Sequence, residues 1–207
     1  MRAALLPFLL LTACAEPSVA PISDPEAFEL LSHVDRSALT DVFARALEDG
    51  YTADVVVTTF EGGVARRDSS VISPGDSATR LRLRDPIDQA LSDDPPYLDP
   101  SVREAYTSSV LGDTTIDGAR FQRVEAVLAD TTRELGLRRV WAAIDDQGRV
   151  GALEVERRSD SAIFVEQSVV RVEVAPGSRR PRRVVTDTQT DVPLSAPRRV
   201  RIEWTVR

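Results

Sequence analysis

The chain contains 207 residues, of which 42% are hydrophobic, and its 26 basic and 33 acidic residues give a formal net charge of −7. A chain of this length and composition can form one domain with a hydrophobic core, which excludes a wholly disordered protein. The negative charge argues against nucleic acid or an anionic membrane surface as a partner of the whole protein. The single cysteine excludes a disulfide within the chain.

The first 14 residues have the organisation of an export signal. Arg2 is followed by a non-polar run over residues 3–11, and this run ends in the tetrapeptide Leu11-Thr12-Ala13-Cys14. A positive start, a short apolar core and small residues before a cleavage point are typical of a secretory signal peptide, and the run is too short to span a bilayer. The tetrapeptide resembles the lipobox of bacterial lipoprotein signal peptides. This resemblance implies that residues 1–13 are removed and that Cys14 carries the lipid.

Residues 14–34 are predicted to contain the lipidated cysteine and a tether, and residues 35–207 the folded domain. Three prolines among residues 15–25 favour an extended chain at the start of the tether. Phe28, Leu30 and Leu31 indicate a short helix near its end.

The hydrophobic period changes from helical to strand-like after Gly50. Residues 37–49 are predicted as a helix, which Ser37 can cap and Gly50 can end. Residues 51–60 and 64–73 are predicted as a β-hairpin around the turn Glu61-Gly62-Gly63. A further strand is predicted at residues 79–84, where Leu81 and Leu83 alternate with arginines.

Residues 85–113 interrupt the strand pattern and contain four prolines. Two short helices are predicted here, at residues 86–91 and 100–111, as a lid over the sheet. Apolar side chains at near-helical intervals in this segment are the candidate ligand contacts; they are Ile87, Leu91, Tyr97, Val102, Tyr106, Val110 and Leu111. Because two short helices have little stability of their own, the lid either opens as a gate or plugs the sheet permanently.

The chain after Gly118 is predicted to be almost entirely β-strand. The predicted strands are residues 119–130, 138–144, 149–157, 162–175, 183–192 and 198–206. In the last of these, Val200, Ile202, Trp204 and Val206 share one face, which we expect to be buried. The fold class is therefore α+β, with about nine antiparallel strands, an N-terminal helix and a helical insertion.

This order of elements resembles the LolA/LolB-like fold of bacterial lipoprotein carriers. The elements that carry the resemblance are the helix at 37–49 leading into the strand at 51–60, the insertion at 85–113, and the strands at 141–144 and 150–155. The resemblance implies a strongly curved, incompletely closed antiparallel sheet, an incomplete barrel with a helical lid and a hollow that shelters lipid.

The sequence contains few groups that suggest catalysis. His33 is the only histidine and precedes the Gly75-Asp76-Ser77 segment, which favours a turn over a hydrolase nucleophile. Metal binding is not expected, because there is one histidine and neither 113–118 nor 145–148 has the spacing of a calcium loop. No cofactor is expected. The one basic cluster, at residues 179–183, either contacts anionic headgroups or forms a solvated loop.

The favoured function is a membrane-anchored, non-enzymatic lipoprotein that binds a lipid, acyl chain or lipoprotein. Its partners would be the membrane, through the lipid on Cys14, and the bound ligand, but not nucleic acid. Ala15 follows the cysteine, which favours the outer membrane as the location in the cell envelope. Two alternatives remain, namely an anchored hydrolase that uses carboxylates and an envelope interaction protein without a small ligand.

Replacing Cys14 with alanine tests the predicted anchor. The Cys14→Ala protein should be unprocessed or released from the membrane, because each buried CH₂ of an acyl chain contributes about 0.8 kcal/mol to anchoring. Membrane fractionation and the intact mass of the mature protein measure this. Unchanged membrane association of the variant would show that Cys14 is not the anchor.

Overall fold

The computed structural model describes residues 23–32, 52–72, 97–175 and 181–207. These residues contain one α-helix, one short 3-10 helix and nine β-strands. The elements in chain order are α1 (Pro25–Ser32), β1 (Ala53–Glu61), β2 (Val64–Ile72), the 3-10 helix (Arg103–Ala105), β3 (Tyr106–Ile116), β4 (Ala119–Leu128), β5 (Leu137–Ile144), β6 (Val150–Asp160), β7 (Val165–Val174), β8 (Pro181–Asp191) and β9 (Arg198–Val206).

The strands form one curved antiparallel sheet that does not close into a barrel. Their order is β2-β1-β9-β8-β7-β6-β5-β4-β3, so β2 and β3 are the edges. Strands β3 to β9 follow one another as a meander, whereas β1 pairs with β9 over the whole length from Ala53↔Val206 to Glu61↔Arg198. This long-range pairing joins the N-terminal hairpin to the end of the chain.

Two-residue turns fix the register of both edge hairpins. Gly62 and Gly63 join β1 to β2 with φ of 56° and 80°, and Asp117 and Gly118 join β3 to β4 with φ of 48° and 84°. Positive φ at both central residues is the requirement of the type I′ turn, whose twist matches that of the strands. Gly-Gly and Asp-Gly therefore determine where each hairpin turns.

Most predicted strands are confirmed. The hairpin around Gly62, the short helix near Phe28 and the last strand at residues 198–206 are present, and the five other strands predicted after Gly118 match β4 to β8 with shifted ends. The predicted helix at 37–49, the strand at 79–84 and the helix at 86–91 lie outside the described residues.

The helix predicted at residues 100–111 is wrong. Only Arg103–Ala105 forms a 3-10 turn, and Tyr106 begins β3, which continues to Ile116. The near-helical spacing of apolar residues here is overridden by the ladder with β4, in which Tyr106 lies opposite Leu128 and Val110 opposite Val124. Aromatic and β-branched residues fit such a half-buried strand. The second half of the expected helical lid is therefore an edge strand of the sheet.

The register gives the sheet one apolar face, here called the inner face. One row of directly paired residues on this face is at most 4% exposed across seven strands; it consists of Val55, Trp204, Val184, Val172, Leu153, Ala142 and Val124. The expected burial of the last strand's apolar face is confirmed at Trp204, while Val200, Ile202 and Val206 are half-buried. Leu81 and Leu83 lie outside the described residues.

Helix α1 packs on the inner face beside β3 and β4. Its buried side chains Ala27, Phe28 and Leu31 have the spacing of one helix face. The backbone N–H of Asp24 donates to the carbonyl oxygen of Ser108 at 3.0 Å, and the Ser108 hydroxyl donates back to the Asp24 carbonyl at 2.7 Å. The helix is thus part of the core although it precedes residue 35. The predicted domain boundaries themselves stay a prediction.

The opposite, outer face carries cross-strand pairs of arginine with glutamate or aspartate. Arg139 Nε donates to Glu125 at 3.1 Å, and Arg183 Nε donates to Glu203 at 2.9 Å. Asp187 accepts hydrogen bonds from Arg199, and these bonds lower the pKa of Asp187 although its partial burial opposes the shift. Such exposed pairs add little stability singly. The outer face is therefore mainly charged, although Val185 and Ala143 on that face are buried.

Replacing Gly151 with alanine tests the packing at the β5–β6 bulge. Gly151 has no partner in β5, because it lies between the pairs Ala143↔Ala152 and Ile144↔Val150. A Cβ added to Gly151 would lie 2.5 Å from Cε1 of Phe121. Because the Phe121 ring is buried, Gly151→Ala should lower the free energy of unfolding by about 1–3 kcal/mol. Urea unfolding measures this.

Gly136→Ala is the matched control. Its added Cβ would lie 3.7 Å from the nearest atom, the carbonyl oxygen of Arg158, which is ordinary contact. Its stability should stay within about 0.5 kcal/mol of the parent protein. Adding Phe121→Leu to Gly151→Ala replaces the ring with a smaller side chain. The double variant should therefore recover part of the stability that Gly151→Ala loses. If Gly151→Ala and Gly136→Ala unfold at the same urea concentration, the described packing of Phe121 against Gly151 is wrong.

Candidate ligand site on the inner face

Among the described residues, β8 and β9 each carry a buried polar group on the inner face that has no hydrogen-bond partner. They are the indole Nε1–H of Trp204 and the hydroxyl of Thr186, whose residues are 2% and 8% exposed. Trp204 lies opposite Val184 and Thr186 opposite Ile202, so the two occupy neighbouring rungs of β8 and β9 on one face. Buried polar groups in folded proteins are nearly always hydrogen-bonded, and an unsatisfied one costs about 1–3 kcal/mol. These two groups therefore mark a place suited to a ligand.

The chemistry of the two groups defines what would satisfy them. An indole N–H can only donate, and a threonine hydroxyl can donate or accept. Diagonal neighbours on adjacent strands are about 7–8 Å apart, so one small group with several oxygens would reach both if it entered the inner face. An ester or amide carbonyl can accept hydrogen bonds from the Trp204 indole and the Thr186 hydroxyl. Hydrocarbon on either side of it suits the apolar residues around them.

The inner face changes from apolar to polar along β6 and β7. Successive pairs on this face are Leu153 with Val172, Val155 with Val170, Arg157 with Ser168, and Ser159 with Glu166. Residues at i, i+2 and i+4 of a strand point to the same side, and no irregularity interrupts this part of the ladder. Along β6 and β7 the inner face is therefore apolar at one end and charged at the other, which we call the charged end.

A cleft of about 680 Å³ lies at the charged end. The loop of residues 131–136 between β4 and β5 forms one wall, and the end of β6 with the start of β7 forms the other. Four arginines line this cleft, which we call the arginine cleft; they are Arg133, Arg138, Arg157 and Arg158.

Two of these arginines are engaged in short ion pairs. Arg133 Nη2 lies 2.6 Å from Glu104, and Arg158 Nε lies 2.9 Å from Asp160. The hydrogen bond from Arg158 lowers the pKa of Asp160, which keeps this carboxylate charged. These pairs form the rim of the cleft.

The other two arginines are poorly paired. The contact of Arg138 with Asp160 is 3.7 Å, and its buried Nε has no partner. Arg157 is half-buried and has neither an ion pair nor a hydrogen bond within the described part of the chain. Its guanidinium lies beside Gly136, 3.9 Å from where a Cβ would be. The arginine cleft therefore holds cationic groups whose hydrogen-bonding capacity is unused.

Tyr106 supports this end of the site without taking part in proton transfer. Its hydroxyl donates to the carbonyl oxygen of Leu137 at 2.8 Å, and burial raises the pKa of Tyr106 to about 12 even though Arg138 opposes the shift. The hydroxyl is therefore protonated at neutral pH.

The residues predicted as ligand contacts are dispersed. Tyr97 and Tyr106 are buried and meet edge to face with their ring centroids 6.3 Å apart, Val102 and Val110 are half-buried, and Leu111 is 37% exposed. Ile87 and Leu91 lie outside the described residues. A ligand role for these seven residues stays a prediction.

Sequence reasoning placed Trp204 in the core and did not select Thr186, Arg138 or Arg157. A signal for Arg157 is present in the sequence, since it breaks the apolar alternation of Leu153 and Val155 inside a strand. Thr186 carries no such signal, because threonine is ordinary in strands and only the register shows what surrounds it.

Other predicted features are located in part. Among the described residues there is no cluster of side chains that could hold a metal ion, and no described helix is long and apolar enough to cross a membrane. Of the basic cluster, Arg182 pairs with Asp117, and Arg183 pairs with Glu203 and Glu173. Cys14, His33 and Ser77 lie outside the described residues.

Comparison of the sequence with protein-family models and with curated proteins finds no match. A DUF1329 family protein from Desulfovibrio piger shows 10% identity and a TM-score of 0.26, over 83% of this chain and 92% of that one. A domain provisionally described as an outer membrane lipoprotein-sorting protein, from Vibrio parahaemolyticus, shows 11% identity and a TM-score of 0.32, over 87% of this chain and 91% of that one. These TM-scores are too low for either likeness to bear on the function.

Replacing Thr186 with valine tests whether the unpartnered hydroxyl is held at an energetic cost. Valine has the same shape without the polar atom, so Thr186→Val should raise the free energy of unfolding by about 1–3 kcal/mol. Urea unfolding of protein freed of lipid by denaturation and refolding measures this gain.

Thr188→Val is the matched control, because it lies two residues along the same strand and face but is half-buried. Its stability should change by less than about 0.5 kcal/mol. A Thr186→Val protein that is no more stable than the parent would contradict the description of this hydroxyl as unsatisfied.

Proposed function

We propose that this protein is a membrane-anchored, non-enzymatic lipoprotein of the cell envelope that binds the acyl chains of a lipid or lipoprotein against the inner face of its sheet. The observation that carries the proposal is the pair of buried, unpartnered groups on Trp204 and Thr186. They lie within an apolar face, where an ester or amide carbonyl next to hydrocarbon would satisfy them.

Anchoring through Cys14 fits this role. A lipid on Cys14 would hold the domain at a membrane, and the residues before the domain would serve as its tether. We place the protein at the outer membrane, where a binding face close to the bilayer can receive or deliver a lipid-bearing molecule.

The described carboxyl groups give no support to the alternative of a carboxylate-dependent hydrolase. A general acid in such an enzyme needs a raised pKa. The described carboxyl groups with a resolved shift all have lowered pKa values; they are Asp99, Asp130, Asp145, Asp160 and Asp187. Hydrogen bonds from arginine, threonine, serine or backbone groups keep them charged.

Native mass spectrometry of the full chain tests the proposal. The protein extracted from membranes should carry a non-covalent adduct of lipid mass that is lost on denaturation, whereas lipid on Cys14 survives denaturation. The double variant Trp204→Phe, Thr186→Val keeps the face apolar but removes both polar atoms, so its adduct should be weaker. Glu203→Gln, on the outer face of β9, is the control and should retain the adduct.

The proposal fails if the parent protein carries no adduct and takes up no added phosphatidylethanolamine. It also fails if the double variant and the Glu203→Gln control hold the same amount of lipid, because the two polar groups would then have no part in binding.

A further inference from the structure

We propose that the arginine cleft is the headgroup subsite of this binding face and that it selects amphiphiles with a phosphate headgroup. The inference rests on the proposed function, because it assigns the other end of the same ligand. It adds a chemical class that the apolar face alone does not define.

Two cations in the arginine cleft have unused hydrogen-bonding capacity. Arg157 has no hydrogen bond or ion pair within the described residues, and Arg138 has a buried, unpartnered Nε and only a 3.7 Å contact with Asp160. The guanidinium nitrogens of Arg157 are not fully buried, so an anion can reach them and take the place of water. In contrast, outer-face arginines such as Arg183 pair closely with glutamate.

Arg157 lies where the apolar part of the inner face ends on β6. It follows Leu153 and Val155 on the inner face of β6, opposite Ser168. Strand residues rise about 3.3 Å each, so Arg157 is about 13 Å from Leu153 along the strand. A chain bound along the apolar residues would therefore bring its polar end to the guanidinium of Arg157.

The hydrogen-bond donors in the arginine cleft suit a phosphate group. Guanidinium groups present paired N–H donors that match the oxygens of phosphate, and the Ser168 hydroxyl beside Arg157 can add a donor. The acidic residues in the cleft, among them Asp160 and Glu166, limit its net positive charge. The subsite thus fits a single phosphate group better than an extended anionic surface.

The test measures by calorimetry how tightly three probes bind to the full chain after its bound lipid has been removed. Each probe is used below its critical micelle concentration. Tetradecyl phosphate and monomyristoyl glycerol have 14-carbon chains, and only the first has a charged headgroup. Inorganic phosphate has the headgroup without the chain. We expect tetradecyl phosphate to bind about tenfold more tightly than monomyristoyl glycerol, and far more tightly than inorganic phosphate.

Arg157→Gln should reduce the preference for tetradecyl phosphate to less than about twofold. Its affinity for monomyristoyl glycerol should be unchanged, which also shows that the variant is folded. Arg171→Gln is the control, because Arg171 pairs with Glu154 on the outer face. That variant should keep the tenfold preference.

The possible outcomes separate the two proposals. If neither amphiphile binds, both the proposed function and the headgroup subsite fall. If both amphiphiles bind equally to the parent protein, the lipid-binding function stands and the headgroup subsite falls. If inorganic phosphate binds as tightly as tetradecyl phosphate, the cleft is an independent phosphate site and the proposed continuity with the apolar face is overturned. An Arg157→Gln protein that keeps the tenfold preference likewise overturns the role of Arg157.

Discussion

The register of the antiparallel ladder is the constraint on which the rest of the structure depends. Because strand side chains alternate between faces, a slip of one residue between β1 and β9 would move Trp204 from the inner face to the outer one. The same slip would bring Glu203 and its partner Arg183 into the core. The apolar inner face and the charged outer face therefore stabilise one register jointly, although the two strands are far apart in the sequence.

The inner face combines a well-packed core with groups that the protein itself does not satisfy. Val124 and Leu153 are buried as in any core, whereas Thr186 and Trp204 keep polar atoms without partners. Such groups lower the stability of the folded protein, because each loses hydration without gaining a hydrogen bond. Arg157, which is half-buried and has no ion pair within the described residues, lies at the end of the same face.

Local patterns predicted most of the described strands but not the path of the chain at residues 100–111. The Gly62-Gly63 turn and the alternation at residues 198–206 carry their own signals, because turn geometry and period are local properties. Tyr106 and Val110 have a spacing that suits a helix as well as an edge strand. Pairing with β4 decides in favour of the strand. A short stretch of sequence around Tyr106 and Val110 does not contain β4 and so cannot show this pairing.

The sequence by itself determined the antiparallel β-rich class and the apolar face that contains Trp204, whereas a lipid anchor at Cys14 stays a prediction. These depend on residue types and short periods, which can be counted along the chain. The tertiary structure decided which polar groups lack partners and that Arg157 and Arg138 share a cleft. These features arise from contacts between separate strands, because burial and hydrogen bonding are properties of neighbours in space and not of neighbours in sequence.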